Sequence, residues 1–468
     1  MTPAYKLLIN GKLVDGAAAL DVINPANGQT VARVARASQE QALSAIGAAK
    51  AAQSGWAATP LEKRRALLHK LADGIDARRD EIARTLVQEQ GKPLEDATAE
   101  VMYAGIFVRF FADMAIPMEV VQDDATHHIS IHYKPLGVVA GITPWNFPFL
   151  IPAYKLAPAL VLGNTFILKP APTTPLCSLL LGQIAADIFP AGVVNVIVDE
   201  NDLGQLLSTH ADIAKVSFTG STATGRKIME ASANTLKRLT LELGGNDAGI
   251  VLPDADVERT AQGIAASAFG NAGQVCIATK RVYVHDSVYD EISDALAKVV
   301  SAIPVGDGLQ QGVRMGPMQN RAQYEKAKHY LEVAHRDGKV IAGGNVHGGE
   351  GLFVEPTLVR DIEDGSPLVD EEQFAPILPL IRYDDLDHVI DKVNSSEYGL
   401  GGSVWSSDIE KATQIAHRIQ SGTVWINHAT HFGPHIPFGG AKQSGIGSEF
   451  TQDGMLEFAQ RTVISIAH

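Results

Sequence analysis

The feature that most constrains the fold of this chain is an alternation of short apolar runs with helical segments, which begins after Gly137. The runs are Val138-Val139, Thr165–Leu168, Val193–Val198, Val216–Phe218 and Leu239–Leu243. Such alternation is typical of βαβ units, in which helices connect the strands of a parallel sheet. A second α/β unit begins near Asp247 and continues through residues 282–285 to residues 424–427. The Gly244-Gly245 pair between the units predicts a hinge or a domain boundary.

Local signals add detail to this α/β pattern. Ser38 and Gln41 predict a capping box at the start of a helix, and Thr174-Pro175 predicts the N-cap and first turn of another. Two segments fit neither α/β unit: residues 120–136 and Thr462–Ile466 have the alternation of strands but no neighbouring strand to pair with. We predict that these segments add strands between subunits.

Charge, cysteine content and hydropathy exclude several classes of protein. The chain has 53 Asp and Glu against 39 Lys and Arg residues, and the resulting charge of −14 would repel a nucleic-acid backbone. Two cysteines cannot form a disulfide framework or a spaced zinc site. Three prolines interrupt the uncharged run Gly137–Tyr154, so it does not predict a membrane span, and the N-terminus lacks the pattern of a signal peptide. We expect a cytoplasmic protein.

One strand-to-helix turn offers an anion site. Residues Phe218–Gly225 follow an apolar strand and open an apparent helix, so backbone N–H groups and the positive end of the helix dipole can face an anion. The turn has neither the G-x-G-x-x-G pattern nor the Lys-Ser/Thr of a P-loop. A tight turn without a ligand explains it equally well.

Cys276 is the candidate nucleophile. It follows the glycine-rich turn Gly270–Val275, where a substrate can approach the thiol and backbone dipoles can activate it. Cys177 lies among leucines in a predicted helix and is typical of a buried structural cysteine.

Two further polar residues are candidates for catalysis. Glu242 ends a strand, at the edge where parallel sheets place ligands, although an exposed carboxylate is the alternative. Asn146 lies in the loop Pro144–Pro148, and its amide can donate hydrogen bonds to a developing oxyanion.

Histidines raise the question of a metal site. Two trios stand close in sequence, His127, His128 and His132 in one and His428, His431 and His435 in the other. No cysteine or carboxylate completes a convincing set of ligands around either trio, so we predict no metal.

The sequence resembles the aldehyde dehydrogenase superfamily nearly from end to end. The motifs that carry the resemblance are, in family order, Pro144-Trp-Asn-Phe-Pro148, Leu168-Lys-Pro170, Phe218-Thr-Gly-Ser-Thr222, Leu241-Glu-Leu-Gly-Gly245, Gly273-Gln-Val-Cys276, Glu371-Glu-Gln-Phe374, Pro437-Phe-Gly-Gly440 and Lys442-Gln-Ser-Gly445. The resemblance implies an α/β fold with two Rossmann-like domains and a small β oligomerisation element, in a homodimer or homotetramer. The implied NAD(P)-binding domain covers residues 1–119 and 137–243, the catalytic domain 244–440, and the oligomerisation element 120–136 and 447–468.

The same resemblance implies catalytic roles. Cys276 would add to the aldehyde carbon, with Asn146 and the Cys276 backbone N–H at the oxyanion. Glu242 would activate the water that hydrolyses the resulting thioester. Members that transfer the acyl group to coenzyme A typically lack this glutamate, so the implied product is a free carboxylic acid.

The resemblance also implies a cofactor site for NAD or NADP. Lys169 would bind the adenosine ribose, Ser221 the pyrophosphate and Glu372 the nicotinamide ribose, with Phe374 near the nicotinamide. Gly220 and Trp145 complete the implied set.

One departure from the family pattern concerns cofactor choice. Pro172 stands where many members carry a glutamate that binds ribose hydroxyls and opposes a 2′-phosphate. Loss of that carboxylate removes a repulsion of about 1 kcal/mol or more, which brings NADP into consideration beside NAD.

For the substrate, the resemblance places Phe147, Tyr154, Phe432 and Phe438 around the entrance tunnel. Four aromatic rings favour a hydrophobic or aromatic aldehyde. No arginine stands at these positions to bind a second carboxylate, although His431 could, so a succinate-semialdehyde type of substrate stays open.

Two hypotheses from other classes compete with aldehyde oxidation. A cysteine hydrolase would use Cys276 with a histidine base and would need no dinucleotide. A non-catalytic protein on this fold would not require Cys276, Glu242 and Asn146 together.

Overall fold

A computed structural model of the chain describes residues 5–468. In chain order the strands are β1 (Leu7–Ile9), β2 (Lys12–Val14), β3 (Ala18–Ile23), β4 (Thr30–Arg36), β5 (Glu119–Asp123), β6 (His127–Pro135), β7 (Val138–Ile142), β8 (Thr165–Lys169), β9 (Val194–Val196), β10 (Ile213–Thr219), β11 (Arg238–Glu242), β12 (Asp247–Val251), β13 (Thr279–His285), β14 (Lys339–Ala342), β15 (Thr357–Arg360), β16 (Ile377–Tyr383), β17 (Tyr398–Gly399), β18 (Gly401–Trp405), β19 (Thr423–Ile426), β20 (Ala441–Lys442), β21 (Gly445–Ile446) and β22 (Ala459–Ala467). The α-helices are α1 (Gln39–Ala57), α2 (Leu61–Ala77), α3 (Arg79–Gln90), α4 (Leu94–Asp113), α5 (Leu150–Val161), α6 (Leu176–Ala186), α7 (Gly204–Thr209), α8 (Thr222–Ser232), α9 (Val257–Phe269), α10 (Tyr289–Ser301), α11 (Arg321–Asp337), α12 (Pro367–Asp370), α13 (Leu386–Ser395), α14 (Ile409–Ala416) and α15 (Thr451–Leu456). Within residues 5–468 no helix is long and apolar enough to cross a membrane.

The first sheet has eight strands in the order β2-β1-β9-β8-β7-β10-β11-β21. Its five central strands, β9 to β11 in this order, are parallel. Every residue of β7 and β8 is buried although alternate side chains point to opposite faces, so the sheet is covered on both sides. The apolar runs of the sequence fall on these central strands, which confirms the predicted parallel sheet.

The second sheet has seven strands in the order β14-β15-β16-β13-β12-β18-β19. All neighbours are parallel except β14 and β15. The chain passes from the first sheet to the second at Gly244-Gly245, and β12 begins at Asp247. The second α/β unit is therefore confirmed, and with it the fold class of two Rossmann-like α/β units.

The two strands predicted to lack partners pair with each other. Strand β22 runs antiparallel to β6 along its whole length, from Ala459 opposite Pro135 to Ala467 opposite His127. Strand β5 covers the other edge of β6, which gives a three-stranded sheet with β5 and β22 outermost. Both outer strands present unpaired backbone groups.

One predicted helix cap is confirmed and one is wrong. Ser38 forms the predicted capping box at the start of α1. Thr174 makes no side-chain cap for α6, which begins at Leu176. Instead, the Leu176 and Cys177 N–H groups donate to the Glu89 carboxylate at 2.7 and 3.0 Å. Because Glu89 comes from α3, a distant carboxylate satisfies the N–H groups that the local threonine was expected to bind.

Candidate functional site

A cavity of about 220 Å³ opens where the carboxyl ends of β10 and β11 meet the second sheet. All but one of the predicted site residues line it: Trp145, Asn146, Phe147, Tyr154, Gly220, Ser221, Glu242, Cys276, Glu372, Phe374, Phe432 and Phe438. Lys169 is not among the lining residues. Residues up to nearly 300 positions apart in the chain thus meet at one site.

Cys276 lies in a strained turn between α9 and β13. Asn271 and Ala272 before it have φ values of 51° and 55°, in the left-handed region. Within the described chain its backbone N–H donates to no protein acceptor. Gly245 packs so closely against this turn that a Cβ there would lie 2.6 Å from the Cys276 carbonyl oxygen. The second glycine of the interdomain pair thus allows this close approach.

Cys276 as a residue is partly exposed, whereas Cys177 is fully buried. Desolvation in the cavity raises the pKa of Cys276 to about 12, and the ammonium group of Lys280 is the main charge that opposes this shift. Lys280 itself is buried and donates a hydrogen bond to the carbonyl oxygen of Val275. The resting thiol is therefore protonated and needs a base or a nearby cation to become a nucleophile.

Asn146 is held against the Cys276 turn by a hydrogen-bond network. Its side-chain amide donates to the carbonyl oxygen of Gln274 at 3.0 Å. The backbone carbonyl oxygen of Asn146 accepts hydrogen bonds from Lys92 Nζ at 3.0 Å and from Asn271 Nδ2 at 3.2 Å. A primary amide has two N–H groups, so one is left for a ligand in the cavity.

A buried ion pair positions this loop, and sequence reasoning missed it. Lys92 Nζ lies 2.5 Å from Glu100 Oε2, and both side chains are almost fully buried. The other Glu100 oxygen accepts from the N–H groups of Phe149 and Leu150 and so caps α5. The signal in the sequence was a glutamate on the apolar face of α4, because a carboxylate in a core must find partners.

Glu242 ends β11, opposite Thr219 in the register of the parallel pair. Both carboxylate oxygens are buried and lack a hydrogen-bond partner among the described residues. Desolvation and the nearby Glu449 carboxylate raise the pKa of Glu242 well above its ordinary value, and the Lys155 ammonium opposes them. Lys155 and Glu449 form a buried ion pair, and Lys155 also donates to Ser217 at 2.9 Å. A carboxylate with free lone pairs and a raised pKa is suited to accept a proton.

The predicted anion turn joins β10 to α8. Ser221 is the N-cap of α8 and its Oγ accepts from the Thr224 N–H. The first N–H groups of a helix have no partner within the helix, and here they start at a residue that lines the cavity. This arrangement favours an anionic ligand.

The opposite wall carries Glu372 and two aromatic rings. Glu372 Oε1 accepts from the Gly245 N–H at 3.0 Å, and a Cβ at Gly244 would lie 2.5 Å from Glu372 Oε2. The rings of Trp145 and Phe374 meet edge to face with centroids 5.5 Å apart. Gly244 therefore leaves room for the Glu372 side chain, as Gly245 does for the Cys276 backbone.

Lys169 stands at the carboxyl end of β8, outside the cavity. Its Nζ lies 2.7 Å from Asp199 Oδ1 in a fully buried ion pair. The strand β7 separates β8 from β10 and its anion turn. Lys169 and Ser221 thus lie on the same edge of the sheet, two strands apart.

The substrate wall contains an aromatic residue that the sequence did not reveal. Phe450 lines the cavity and is buried, with φ 65° and ψ 175°, a conformation that costs about 1–3 kcal/mol for a residue other than glycine. Its ring lies 5.0 Å from Tyr154, 5.4 Å from Phe438 and 6.4 Å from Phe432 between centroids. The predicted rings surround a further ring that no motif indicated.

The described part of the chain brings neither histidine trio into a cluster of metal ligands. Among residues 5–468 no group of three or more His, Cys, Asp and Glu could hold a metal ion. In the two histidine trios, His128 contacts Asp123 at 3.2 Å, and His428 and His431 have ring centroids 5.8 Å apart.

Comparisons with known proteins show the family to which the chain is related. Residues 13–464 match the aldehyde dehydrogenase family. Phenylacetaldehyde dehydrogenase of Pseudomonas fluorescens is 38% identical over 95% of this chain and 92% of its own length. NADP-dependent succinate-semialdehyde dehydrogenase of Escherichia coli K12 is 36% identical over 97% and 96%. The structure of betaine aldehyde dehydrogenase from Staphylococcus aureus in complex with NAD+ superimposes with a TM-score of 0.95, 33% identity and coverage of 99% and 94%. The chain therefore belongs to the aldehyde dehydrogenase family and is an NAD(P)-dependent, aldehyde-oxidising enzyme.

Proposed function

We propose that this enzyme oxidises a hydrophobic or aromatic aldehyde to the free carboxylic acid, with Cys276 as nucleophile and Glu242 as general base. The observation that carries the proposal is the meeting of Cys276, Asn146 and Glu242 in one cavity with an aromatic wall. Each residue supplies a group that the reaction needs. Cys276 has a free thiol, Asn146 has an N–H group without an acceptor, and Glu242 has a carboxylate without a hydrogen-bond partner among the described residues.

In the first stage, the Cys276 thiol loses its proton to solvent, the thiolate forms a C–S bond to the aldehyde carbon, and the carbonyl oxygen becomes an oxyanion. The free Asn146 N–H and the Cys276 backbone N–H stabilise that charge. A bound nicotinamide would accept the hydride that leaves the aldehyde carbon. Loss of the hydride restores the C=O bond and leaves the acyl group on Cys276 as a thioester.

In the second stage, Glu242 takes a proton from water while the oxygen of that water adds to the thioester carbon. The C–S bond then breaks, the Cys276 thiolate leaves, and the product is a carboxylic acid. The raised pKa of Glu242 suits this role, since it brings the base closer to the working pH.

The residues present fit a dinucleotide. The N-terminus of α8 with Gly220 and Ser221 supplies donors for a pyrophosphate. Trp145, Glu372 and Phe374 lie on the cavity wall near Cys276, as a nicotinamide ribose and ring require. Asp199 Oδ1 is buried and paired with the Lys169 ammonium at 2.7 Å, and its remaining lone pair can accept from a ribose hydroxyl.

The substrate class rests on the wall of the cavity. Phe147, Tyr154, Phe432, Phe438 and Phe450 supply apolar surface, and no arginine is found among the described residues that line it. Lys326 also lines the cavity, but its ammonium group donates to the Glu372 carbonyl oxygen at 2.7 Å, on the wall opposite the rings. A second carboxylate against the rings would therefore lie without a partner, at a cost that disfavours a dicarboxylic semialdehyde. For this reason phenylacetaldehyde dehydrogenase is a better guide to the substrate of this enzyme than succinate-semialdehyde dehydrogenase.

The proposal also covers the domain bounds, the oligomeric state and the cellular location of the enzyme. We propose NAD(P)-binding, catalytic and oligomerisation parts with the bounds given above. The open edge of β22, with Val463 59% exposed, supports strand pairing between copies in a homodimer or homotetramer. A cytoplasmic location is expected from the two unpaired cysteines.

The test is the initial rate of reduced nicotinamide formation with aliphatic, aromatic and semialdehyde substrates, with NAD and NADP supplied separately. Cys276→Ala is expected to abolish turnover and keep dinucleotide binding, while the matched control Cys177→Ala keeps both. Full activity in Cys276→Ala would refute the nucleophile, and preference for a semialdehyde would refute the substrate class.

A further inference from the structure

We propose that Asp199 makes this enzyme select NAD over NADP, in place of the carboxylate that Pro172 cannot supply. The inference rests on the cofactor site proposed above. It assigns to Asp199, a residue outside every motif considered in the sequence, a hydrogen bond to the 2′-hydroxyl of the adenosine ribose.

The position of Asp199 follows from the first sheet. Strands β8 and β9 are parallel neighbours, and the Ile197 N–H donates to the Leu168 carbonyl oxygen at 3.0 Å just beyond the last β9 residue. Lys169 and Asp199 therefore leave the sheet at the same edge. Ligands of open α/β sheets bind outside the carboxyl ends of the strands, and a carboxylate near the end of a strand is the usual partner of a ribose 2′-hydroxyl.

The contacts of Asp199 leave one oxygen available. Oδ2 accepts from the Leu203 N–H at 2.9 Å, which fixes the side chain. Oδ1 lies 2.7 Å from Lys169 Nζ and accepts a hydrogen bond from no other group among the described residues. A ribose hydroxyl at this place can donate to Asp199 and accept from Lys169 at the same time.

The surrounding charges oppose a phosphate. The loop after β9 also carries Glu200 and Asp202, which contact Arg36 at 2.7 and 2.9 Å. Three carboxylates therefore face two cations, Lys169 and Arg36. A 2′-phosphate adds a charge of about −1.5 to −2 and would be repelled by these carboxylates. Lys169, the cation nearest to Asp199, is already paired with it.

Isothermal titration calorimetry with NAD+, NADP+, 5′-AMP and 2′,5′-ADP tests the inference without turnover. We expect the unmodified enzyme to bind NAD+ at least about tenfold more tightly than NADP+, and 5′-AMP more tightly than 2′,5′-ADP. Asp199→Asn, which keeps the shape of the side chain, should lower this preference about tenfold, mainly by stronger binding of NADP+. Asp187→Asn, the same substitution at an exposed aspartate just after α6, is the matched control and should leave the preference within about threefold.

The outcomes separate this inference from the proposed function. An unmodified enzyme that prefers NADP+, or an Asp199→Asn variant that binds NAD+ with an unchanged preference, would overturn the role of Asp199 alone. Absence of binding by either dinucleotide would overturn the proposed cofactor site and this inference with it. If Asp199→Asn does not fold, the comparison of 5′-AMP with 2′,5′-ADP on the unmodified enzyme decides the question.

Discussion

Replacement of Lys280 by methionine should make Cys276 a weaker nucleophile. Lys280 is buried on β13, four residues after Cys276, and among the described residues no carboxylate lies within 4 Å of its Nζ. The charges that act on it come from Glu372, Asp247, Cys276 and Lys326. An ammonium group buried without an ion-pair partner is costly, so its presence beside a thiol indicates a function.

The expected loss of reactivity follows from the pKa of the Cys276 thiol. With a pKa of about 12, about one Cys276 side chain in ten thousand is a thiolate at pH 8. A nearby cation favours the charged form of an acid and lowers its pKa by about 1 to 3 units, so loss of the ammonium group raises the pKa of Cys276 by that amount. The thiolate fraction at pH 8 should then fall by a factor of about ten or more.

The assay is the rate of Cys276 alkylation by iodoacetamide between pH 6 and 10, with the modified residue located by mass spectrometry. Lys280→Met and Lys280→Gln should both be slower than the unmodified enzyme, while Lys280→Arg, which keeps the charge, should be close to it. Melting temperature and far-ultraviolet circular dichroism control for loss of structure. Equal rates in all four folded proteins would refute the electrostatic argument, and a defect in Lys280→Met that Lys280→Gln lacks would assign Lys280 to hydrogen bonding with the turn.

Four further predictions concern the base, the loop and the substrate wall. Glu242→Gln should keep a single burst of reduced nicotinamide and lower steady-state turnover about 10²- to 10⁴-fold, and mass spectrometry should detect the acyl enzyme. Lys155→Met removes the cation that opposes the raised pKa of Glu242, so the acidic limb of the kcat profile should move to higher pH. Glu100→Gln leaves the buried Lys92 ammonium unpaired and should lower the free energy of unfolding by about 3–5 kcal/mol in urea titrations, with a loss of kcat through Asn146. Phe450→Leu should lower kcat/KM for benzaldehyde relative to that for acetaldehyde by about 2- to 10-fold, because stacked rings contribute about 0.5–1.5 kcal/mol each.

Much of the site could be predicted because its residues lie in short motifs at the ends of strands. Glu242 follows an alternating strand, Ser221 follows a strand and begins a helix, and Cys276 follows a glycine-rich turn, so each position is set by a few neighbours in sequence. The predicted residues other than Lys169 line one cavity because parallel strands end at the same edge of a sheet.

The residues that sequence reasoning missed act through distant partners. Glu89 caps α6 from α3, which is why the local prediction at Thr174 was wrong. Asp199 contacts Lys169 only because β9 pairs with β8, and no local pattern in the sequence indicates that contact. Phe450 gives no pattern in sequence, and its strained backbone is tolerated because neighbouring rings surround it.

The sequence by itself determined the family, the order of strands and helices, and the identity of the chemical groups, because periodicity and motifs are local properties of the chain. Tertiary structure alone decided which charges face those groups. Buried ion pairs such as Lys92 with Glu100 and Lys155 with Glu449 join residues far apart, and their effect depends on exclusion of water. That exclusion strengthens electrostatic interactions, and it exists only once the sheets and helices have packed.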